Sequence, residues 1–259
     1  MKYSVVIDCF PESVRRYRRG YAIVAVDVIR ATTTIATAIA MGRKCFPVPT
    51  LEAAHQVSAR LRNPLLAGEV GGVIAPGFEI NNSPAELAMR NDISRPLVLL
   101  SSSGTKLVHM VRATKAAYIA CFRNFEFLAN SLVGRHSRIA IIGAGSRGEF
   151  RQEDQMCCAL IAEHLIDSGY FTANKETAAI VERWRRMSPS AILSSPSAKY
   201  LMRSGQRKDL DFILAHIADL DWEFTIQGDE VVGHTPSDDD FDESLRPSSD
   251  SRMHPSMQG

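Results

Sequence analysis

The sequence is poor in the features that mark several large classes of protein. Aromatic residues make up 7% of its 259 residues, and the formal net charge is +1. A chain with so little net charge has no global field that favours nucleic acid or an anionic membrane. No apolar run has membrane-spanning length, and no Cys/His spacing indicates zinc. These absences argue against a nucleic-acid-binding protein, a membrane protein and a zinc protein.

The cysteines and the N-terminus agree on one compartment. The chain has five cysteines, an odd number, and no Cys-x-x-Cys pair. Cys157 and Cys158 are adjacent within an apolar helical pattern, which is typical of core thiols. Asp8 comes too early for a recognisable signal peptide. We therefore expect a reducing, cytoplasmic location, and the sequence does not distinguish a monomer from a homo-oligomer.

Short apolar runs alternate with helical patterns along most of the chain. The strand-like runs are residues 4–7, 22–26, 65–67, 97–100, 117–120 and 139–142. The helical patterns are residues 33–41, 51–61, 84–90, 104–113, 124–132, 154–167, 175–184 and 210–217. This alternation predicts an α/β fold of three layers, α/β/α, with a mostly parallel or mixed central sheet.

Composition predicts where the folded part ends. Residues 1–234 are expected to form one domain, either as a single unit or as two α/β lobes around one site. Residues 235–259 contain Ser, Asp and Pro and almost no aliphatic residue. Such a segment cannot bury enough apolar surface to order itself, so we predict a disordered C-terminal tail. The basic stretch 15–19 is expected to form a solvated face or a loop, and the Ser/Pro-rich stretch 188–197 a loop.

Residues 24–34 carry the strongest functional signal. An apolar strand ends at Asp27, and Arg30, Thr32 and Thr33 follow as an apolar helix begins. In open α/β sheets, strand ends that lead into helices are where ligands bind. Free N–H groups and hydroxyls at such a helix start suit a phosphate. Helix capping alone would explain the acid or a threonine, but it does not need Arg30 and three consecutive hydroxyls.

Other strand-like runs also end in polar or glycine-rich turns. The candidate oxygen-binding residues of all these turns are Thr32, Thr33, Asn82, Ser83, Ser103, Gly104, Thr105 and Arg147. The run from Gly143 to Gly148 matches the dinucleotide fingerprint only weakly, because no smooth apolar helix begins directly after it. No Gly-x-Ser-x-Gly elbow is present, which disfavours a serine hydrolase.

Four acids lie next to these turns: Asp27, Glu69, Glu153 and Asp154. Magnesium binds one or two carboxylates together with water and substrate phosphate. The acids therefore predict a Mg²⁺ site, although for any single one of them a cap or a surface charge is the alternative.

Taken together and in order, these motifs resemble the 2-phosphosulfolactate phosphatase family from about Val24 to about Val232. The matching pieces are Val-Asp27-Val-Ile-Arg30-Ala-Thr-Thr-Thr, Ala67-Gly68-Glu69-x-Gly71-Gly72, Asn82-Ser83-Pro84, Ser103-Gly104-Thr105 and Gly148-x-Phe150-x-x-Glu153-Asp154. The resemblance implies an α/β/α fold and a Mg²⁺-dependent phosphatase that converts phosphosulfolactate to sulfolactate and phosphate, a step towards coenzyme M.

The resemblance and the residues together suggest roles for the site. We expect a small phosphorylated, anionic substrate and Asp27 as the central acid, either a metal ligand or a nucleophile. Glu153 and Asp154 are expected to hold the metal with Asp27, and Glu69 is a candidate general acid–base. Arg30 and Arg147 would neutralise substrate charge.

The chain departs from the family pattern in ways that concern the substrate. The family usually has Arg directly after the Gly-Glu acid, where this chain has Val70, and Thr-Thr-Asn before Gly-Thr, where this chain has Ser101 to Ser103. A second hypothesis is therefore a phosphatase of another phosphorylated 2-hydroxy acid. A third is a non-catalytic anion-binding regulatory protein.

Overall fold

The computed structural model describes residues 2–145 and 148–236. Within these residues the strands are β1 Ser4–Cys9, β2 Ala22–Val26, β3 Cys45–Val48, β4 Leu65–Val70, β5 Val73–Ile74, β6 Leu97–Leu100, β7 Ala117–Ala120, β8 Arg138–Gly143, β9 Phe171–Thr172, β10 Glu223–Gln227 and β11 Glu230–His234. The α-helices are α1 Val14–Tyr17, α2 Ala31–Ala40, α3 Leu51–Ser58, α4 Pro84–Ala88, α5 Gly104–Val111, α6 Phe125–Leu132, α7 Gln152–Asp167, α8 Lys175–Trp184, α9 Pro196–Arg203 and α10 Arg207–Ala215.

The strands form one mixed sheet in the order β5-β4-β6-β3-β11-β10-β7-β2-β8-β1-β9. On one side of the β10–β11 hairpin, β4, β6 and β3 are mutually parallel. On the other side, β7, β2, β8, β1 and β9 are mutually parallel. The hairpin pairs antiparallel with both groups, so the two parallel half-sheets run in opposite directions.

Alternating side chains of β2 show how the layers pack. Val24 and Val26 pack in a core cluster with residues of α6, α7 and α8, whereas Ile23 and Ala25 pack in a second cluster with residues of α2 and α5. That second cluster also contains inward-facing residues of β4 and β6, and α2 contacts β3, β6, β7 and β11. Helices α2 and α5 therefore pack against both half-sheets, which confirms the predicted α/β class with helices on both faces of the sheet.

The six predicted strands are all present, and the helices agree to within a few residues. Several regions differ. The basic stretch lies partly in α1 with its arginines exposed, as a solvated face rather than a loop. A 3₁₀ helix Pro189–Ser194 and then α9 occupy the predicted Ser/Pro-rich loop and its continuation. The hairpin β10–β11 and the short strands β3, β5 and β9 were not predicted.

Two further expectations concern the C-terminal tail and membrane-spanning helices. Residues 237–259 of the predicted tail lie outside the described residues, so the tail remains a prediction. Within the described residues, no helix has the length and apolar character that a membrane crossing requires.

Candidate active site

Asp27 lies at the C-terminal end of β2, where the chain turns into α2. The hydroxyl and the N–H of Thr32 both donate to the Asp27 carbonyl, at 2.7 and 2.9 Å, and fix this turn. The Ala31 N–H donates to the Asp27 carboxylate at 3.3 Å. Burial raises the pKa of Asp27 to about 7; the Ala31 N–H opposes this rise, and the charge of Glu69 adds to it. A nearby cation would stabilise the ionised form of a carboxylate in this environment.

Glu153 and Asp154 come from the first turn of α7, where the helix dipole favours acids. The Val28 N–H donates to Asp154 Oδ1 at 2.8 Å, which ties α7 to the loop after Asp27. Burial, and then the charges of Asp27 and Glu153, raise the pKa of Asp154. Burial also raises the pKa of Glu153, against the effect of the neighbouring Ser197 and Ser195 hydroxyls.

The three acids predicted to hold a metal do not share one position. Asp27, at the end of β2, and Asp154, on α7, line one cavity of about 600 Å³. Glu153 does not line it, and neither of its buried carboxylate oxygens has a hydrogen-bond partner among the described residues. Over those residues no cluster of three or more acid, His or Cys side chains is arranged to hold a metal ion. Two carboxylates, Asp27 and Asp154, are therefore the groups that could reach a cation in the cavity.

Arg30 lines the same cavity and is buried within the protein. Its Nη1 donates to Asp209 Oδ2 at 2.5 Å, and its Nη2 donates to Asn81 Oδ1 at 3.2 Å. Asp209 comes from α10, far along the chain, and was not among the predicted site residues. The structure thus supports Arg30 as a cavity residue and adds a buried counter-charge that sequence reasoning missed.

Glu69 lines the cavity, but its carboxylate is occupied by donors from two loops. Oε1 accepts from the Ser102 N–H at 2.6 Å, and Oε2 accepts from the Ser102 hydroxyl at 2.8 Å and the Gly72 N–H at 2.6 Å. The side chain thereby joins the end of β4 to the loop before α5. This arrangement favours a structural anchor over a general acid–base.

The predicted oxygen-binding residues divide into two groups. Asn82 and Ser103 line the cavity, and the buried Asn82 Oδ1 has no hydrogen-bond partner among the described residues. The hydroxyls of Thr32, Thr33 and Thr105 donate to main-chain carbonyls, and Ser83 caps α4 and donates to Asp209; none of these four lines the cavity.

Gly104 matters for close approach rather than for direct binding. It lies against the Asp27 carboxylate, and a Cβ atom at this residue would overlap Asp27 Oδ2. The absence of a side chain lets the first turn of α5, after β6, meet the end of β2. Arg147, the remaining predicted residue, lies outside the described residues.

Several cavity residues were not predicted. Lys106 extends from the first turn of α5, Arg151 precedes α7, and Ser197 and Tyr200 come from α9. Lys106 is exposed, and no ion pair to it is seen among the described residues. Val70, in contrast, is half exposed and does not line the cavity, so its position does not support a lost substrate contact there.

Comparison with known proteins decides the family. The profile of 2-phosphosulpholactate phosphatase matches residues 9–219, which contain every cavity residue described above. The chain belongs to the 2-phosphosulpholactate phosphatase family. It is accordingly an enzyme of the phosphoric monoester hydrolase type, which sets aside the non-catalytic alternative.

Curated relatives carry the same description. A probable 2-phosphosulfolactate phosphatase of Deinococcus radiodurans is 32% identical over 212 residues, which cover 80% of this chain and 86% of that protein. A probable one from Pseudothermotoga lettingae is 30% identical over 192 residues, covering 74% and 84%. The 2-phosphosulfolactate phosphatase of Methanothermobacter thermautotrophicus is 31% identical over 192 residues, covering 74% and 80%.

Proposed function

We propose that this protein is a Mg²⁺-dependent phosphatase that hydrolyses 2-phosphosulfolactate to sulfolactate and phosphate, in the cytoplasm. The observation that supports it best is the cavity itself, in which two buried acids, Asp27 and Asp154, face basic side chains within a chain of this family. A phosphoester that carries further anionic groups needs this combination of cation-binding and anion-binding surfaces.

The acids fit a magnesium ion bound in its usual manner. Mg²⁺ takes one or two carboxylates and completes its shell with water and substrate phosphate. Asp27 and Asp154 would hold it, because both line the cavity and the charge of Asp27 raises the pKa of Asp154. When bound, the ion would neutralise charge on the phosphate and acidify a coordinated water.

The basic side chains would bind the anionic substrate. Arg30, held in the cavity wall by Asp209, would contact the phosphate. The substrate also carries a carboxylate and a sulfonate, as its name states. Lys106 and Arg151 would bind these groups: among the described residues Lys106 forms no ion pair, and the acid near Arg151 is the exposed Glu149 carboxylate at 3.8 Å.

A second candidate keeps the chemistry and changes the substrate to another phosphorylated 2-hydroxy acid. The observation that favours it is the triplet Ser101 to Ser103, which departs from the family pattern and lines the cavity. Smaller hydroxyl side chains at this wall alter which anion is hydrogen-bonded.

A phosphate-release assay separates the two candidates. The purified enzyme is given 2-phosphosulfolactate, 2-phospholactate, 2-phosphoglycerate and a simple alkyl phosphate, each with Mg²⁺ and with EDTA. We expect the highest kcat/KM on 2-phosphosulfolactate, and no phosphate release from any substrate in EDTA. A higher kcat/KM on a substrate without the sulfonate would favour the second candidate, and equal activity in EDTA would contradict the metal requirement.

A further inference from the structure

Asp209 pairs with Arg30 although the two residues are 179 positions apart along the chain. The Arg30 Nη1 to Asp209 Oδ2 distance is 2.5 Å, and the exposed fractions of the two side chains are 4% and 3%. A buried, hydrogen-bonded ion pair fixes both groups firmly, because either charge alone would be poorly solvated there. The pair therefore defines the direction of the Arg30 guanidinium at the cavity wall.

Asp209 is itself held from a second direction. Its other oxygen, Oδ1, accepts from the Ser83 hydroxyl at 2.5 Å and from the Ala85 N–H at 3.2 Å. These donors belong to the cap and first turn of α4, which follow the Asn81-Asn82-Ser83 segment. The acid thus connects α10, α4 and the loop after β2 at one point.

Among the described residues, Arg30 has guanidinium donors left over after these two contacts. A guanidinium has five N–H donors in one plane, and the bonds to Asp209 and Asn81 use one on each terminal nitrogen. With two edges fixed, the plane is fixed, and the remaining donors are available at the cavity that Arg30 lines.

We propose that Asp209 is a positioning residue for the phosphatase reaction: it holds the Arg30 guanidinium so that its free N–H donors meet the phosphate oxygens of the substrate. This inference rests on the proposed function for the identity of that substrate. The pairing between the two residues and its effect on anion binding do not depend on it.

A positioning role and a purely electrostatic role of Asp209 predict opposite changes in anion affinity when Asp209 is neutralised. If Asp209 only lowered the positive potential of the cavity, its neutralisation would let an anion bind more tightly. If it orients Arg30, its neutralisation releases the guanidinium, and the anion binds more weakly. Binding of inorganic phosphate to the folded protein therefore distinguishes the two roles without any turnover.

The test is a double-mutant cycle with Asp209→Asn, Arg30→Gln and the double variant, measured by calorimetric binding of inorganic phosphate and by kcat/KM on 2-phosphosulfolactate. Asp211→Asn is the matched control, because Asp211 lies on the same helix with an exposed side chain paired to Arg207. We expect Asp209→Asn to raise the phosphate Kd at least threefold and lower kcat/KM at least tenfold, and to have no further effect in the Arg30→Gln background. The control should match wild type.

Tighter phosphate binding by Asp209→Asn, or an undiminished effect in the Arg30→Gln background, would overturn the proposal. If Asp209→Asn does not fold, Asp209→Glu completes the same cycle, since it keeps the charge and moves the carboxylate by one methylene. A wild-type protein that binds phosphate but does not turn over contradicts the proposed function and leaves the binding arm to decide the role of Asp209. A wild-type protein that neither binds phosphate nor turns over the substrate would contradict both the proposed function and the role of Asp209.

Discussion

Gly104 and Asp27 are in direct contact, although they follow strands of two half-sheets that run in opposite directions. Any side chain at residue 104 would overlap the Asp27 carboxylate and approach the Ala31 Cβ to 2.5 Å. The contact fixes where α5 begins relative to the central acid. It also explains why a glycine opens this helix.

Gly104→Ala should therefore displace Asp27 and lower kcat/KM by about 10²-fold, the usual effect of moving a reacting group by about 1 Å. The measurement is steady-state phosphate release together with the melting temperature. Gly228→Ala is the control, because Gly228 lies at the β10–β11 turn with φ +61 and open space around it. It should cost stability without a comparable loss of activity, and a similar loss in both variants would contradict the contact.

Asp27→Asn should abolish turnover and, in metal-free protein, raise stability at pH 8. The folded-state pKa of Asp27 is raised to about 7 from 3.8, so the folded protein binds a proton more readily than the unfolded chain. The stability linked to this proton is present below pH 3.8 and is lost as the pH rises to 7. Each pKa unit corresponds to about 1.4 kcal/mol.

Denaturant unfolding of the wild type and Asp27→Asn from pH 5 to pH 8 in EDTA tests this. The stability advantage of the variant should grow with pH, by at most about 1.4 kcal/mol per pH unit. Taking the difference between the two proteins cancels the histidines, such as His136, whose lowered pKa acts in the opposite direction. If the difference in unfolding free energy between the two proteins does not change with pH, the pKa of Asp27 is not raised in the folded protein.

Glu69→Gln should lower kcat/KM without changing the shape of the pH–rate profile. The carboxylate accepts from Ser102 and Gly72, and an amide NH₂ placed against one of these donors would loosen the loops. The check is kcat/KM over the full pH range. Loss of one limb of the profile would instead identify Glu69 as a general acid or base.

Lys106→Gln should raise KM for 2-phosphosulfolactate more than for 2-phospholactate. A charge-assisted hydrogen bond contributes about 1.5–3 kcal/mol, which is roughly tenfold or more in kcat/KM. Lys115→Gln, at an exposed lysine that does not line the cavity, is the control. An equal effect on both substrates would mean that Lys106 does not bind the sulfonate.

The sequence predicts the central acid because its signal is local. A buried strand, an acid and a helix start follow one another within residues 22–40, and the fold places Asp27 as that order requires. The direction of the threonine hydroxyls is not encoded locally. Thr32 and Thr33 could have faced a ligand, and they donate to main-chain carbonyls instead.

Asp209 could not be recognised as a site residue because its partner is distant in the sequence. One signal was present: Asp209 lies one turn before the buried Ile213, on the apolar side of α10, where an unpaired acid is not expected. The missed hairpin had a signal too, since two β-branched runs flank Gly228-Asp229. Strand β3 was hidden by Pro47, which is unusual within a sheet.

The central claim is that the Asp27 cavity hydrolyses the phosphoester of 2-phosphosulfolactate with the help of Mg²⁺. Its most direct test is the rate of phosphate release from this substrate by the wild type in Mg²⁺, in EDTA and after Mg²⁺ is restored, beside Asp27→Asn in Mg²⁺. The account predicts turnover only in wild type with Mg²⁺, recovery on its return, and at least about 10³-fold less from the variant. Full activity of the metal-free enzyme, or more than a tenth of wild-type activity from folded Asp27→Asn, would contradict it.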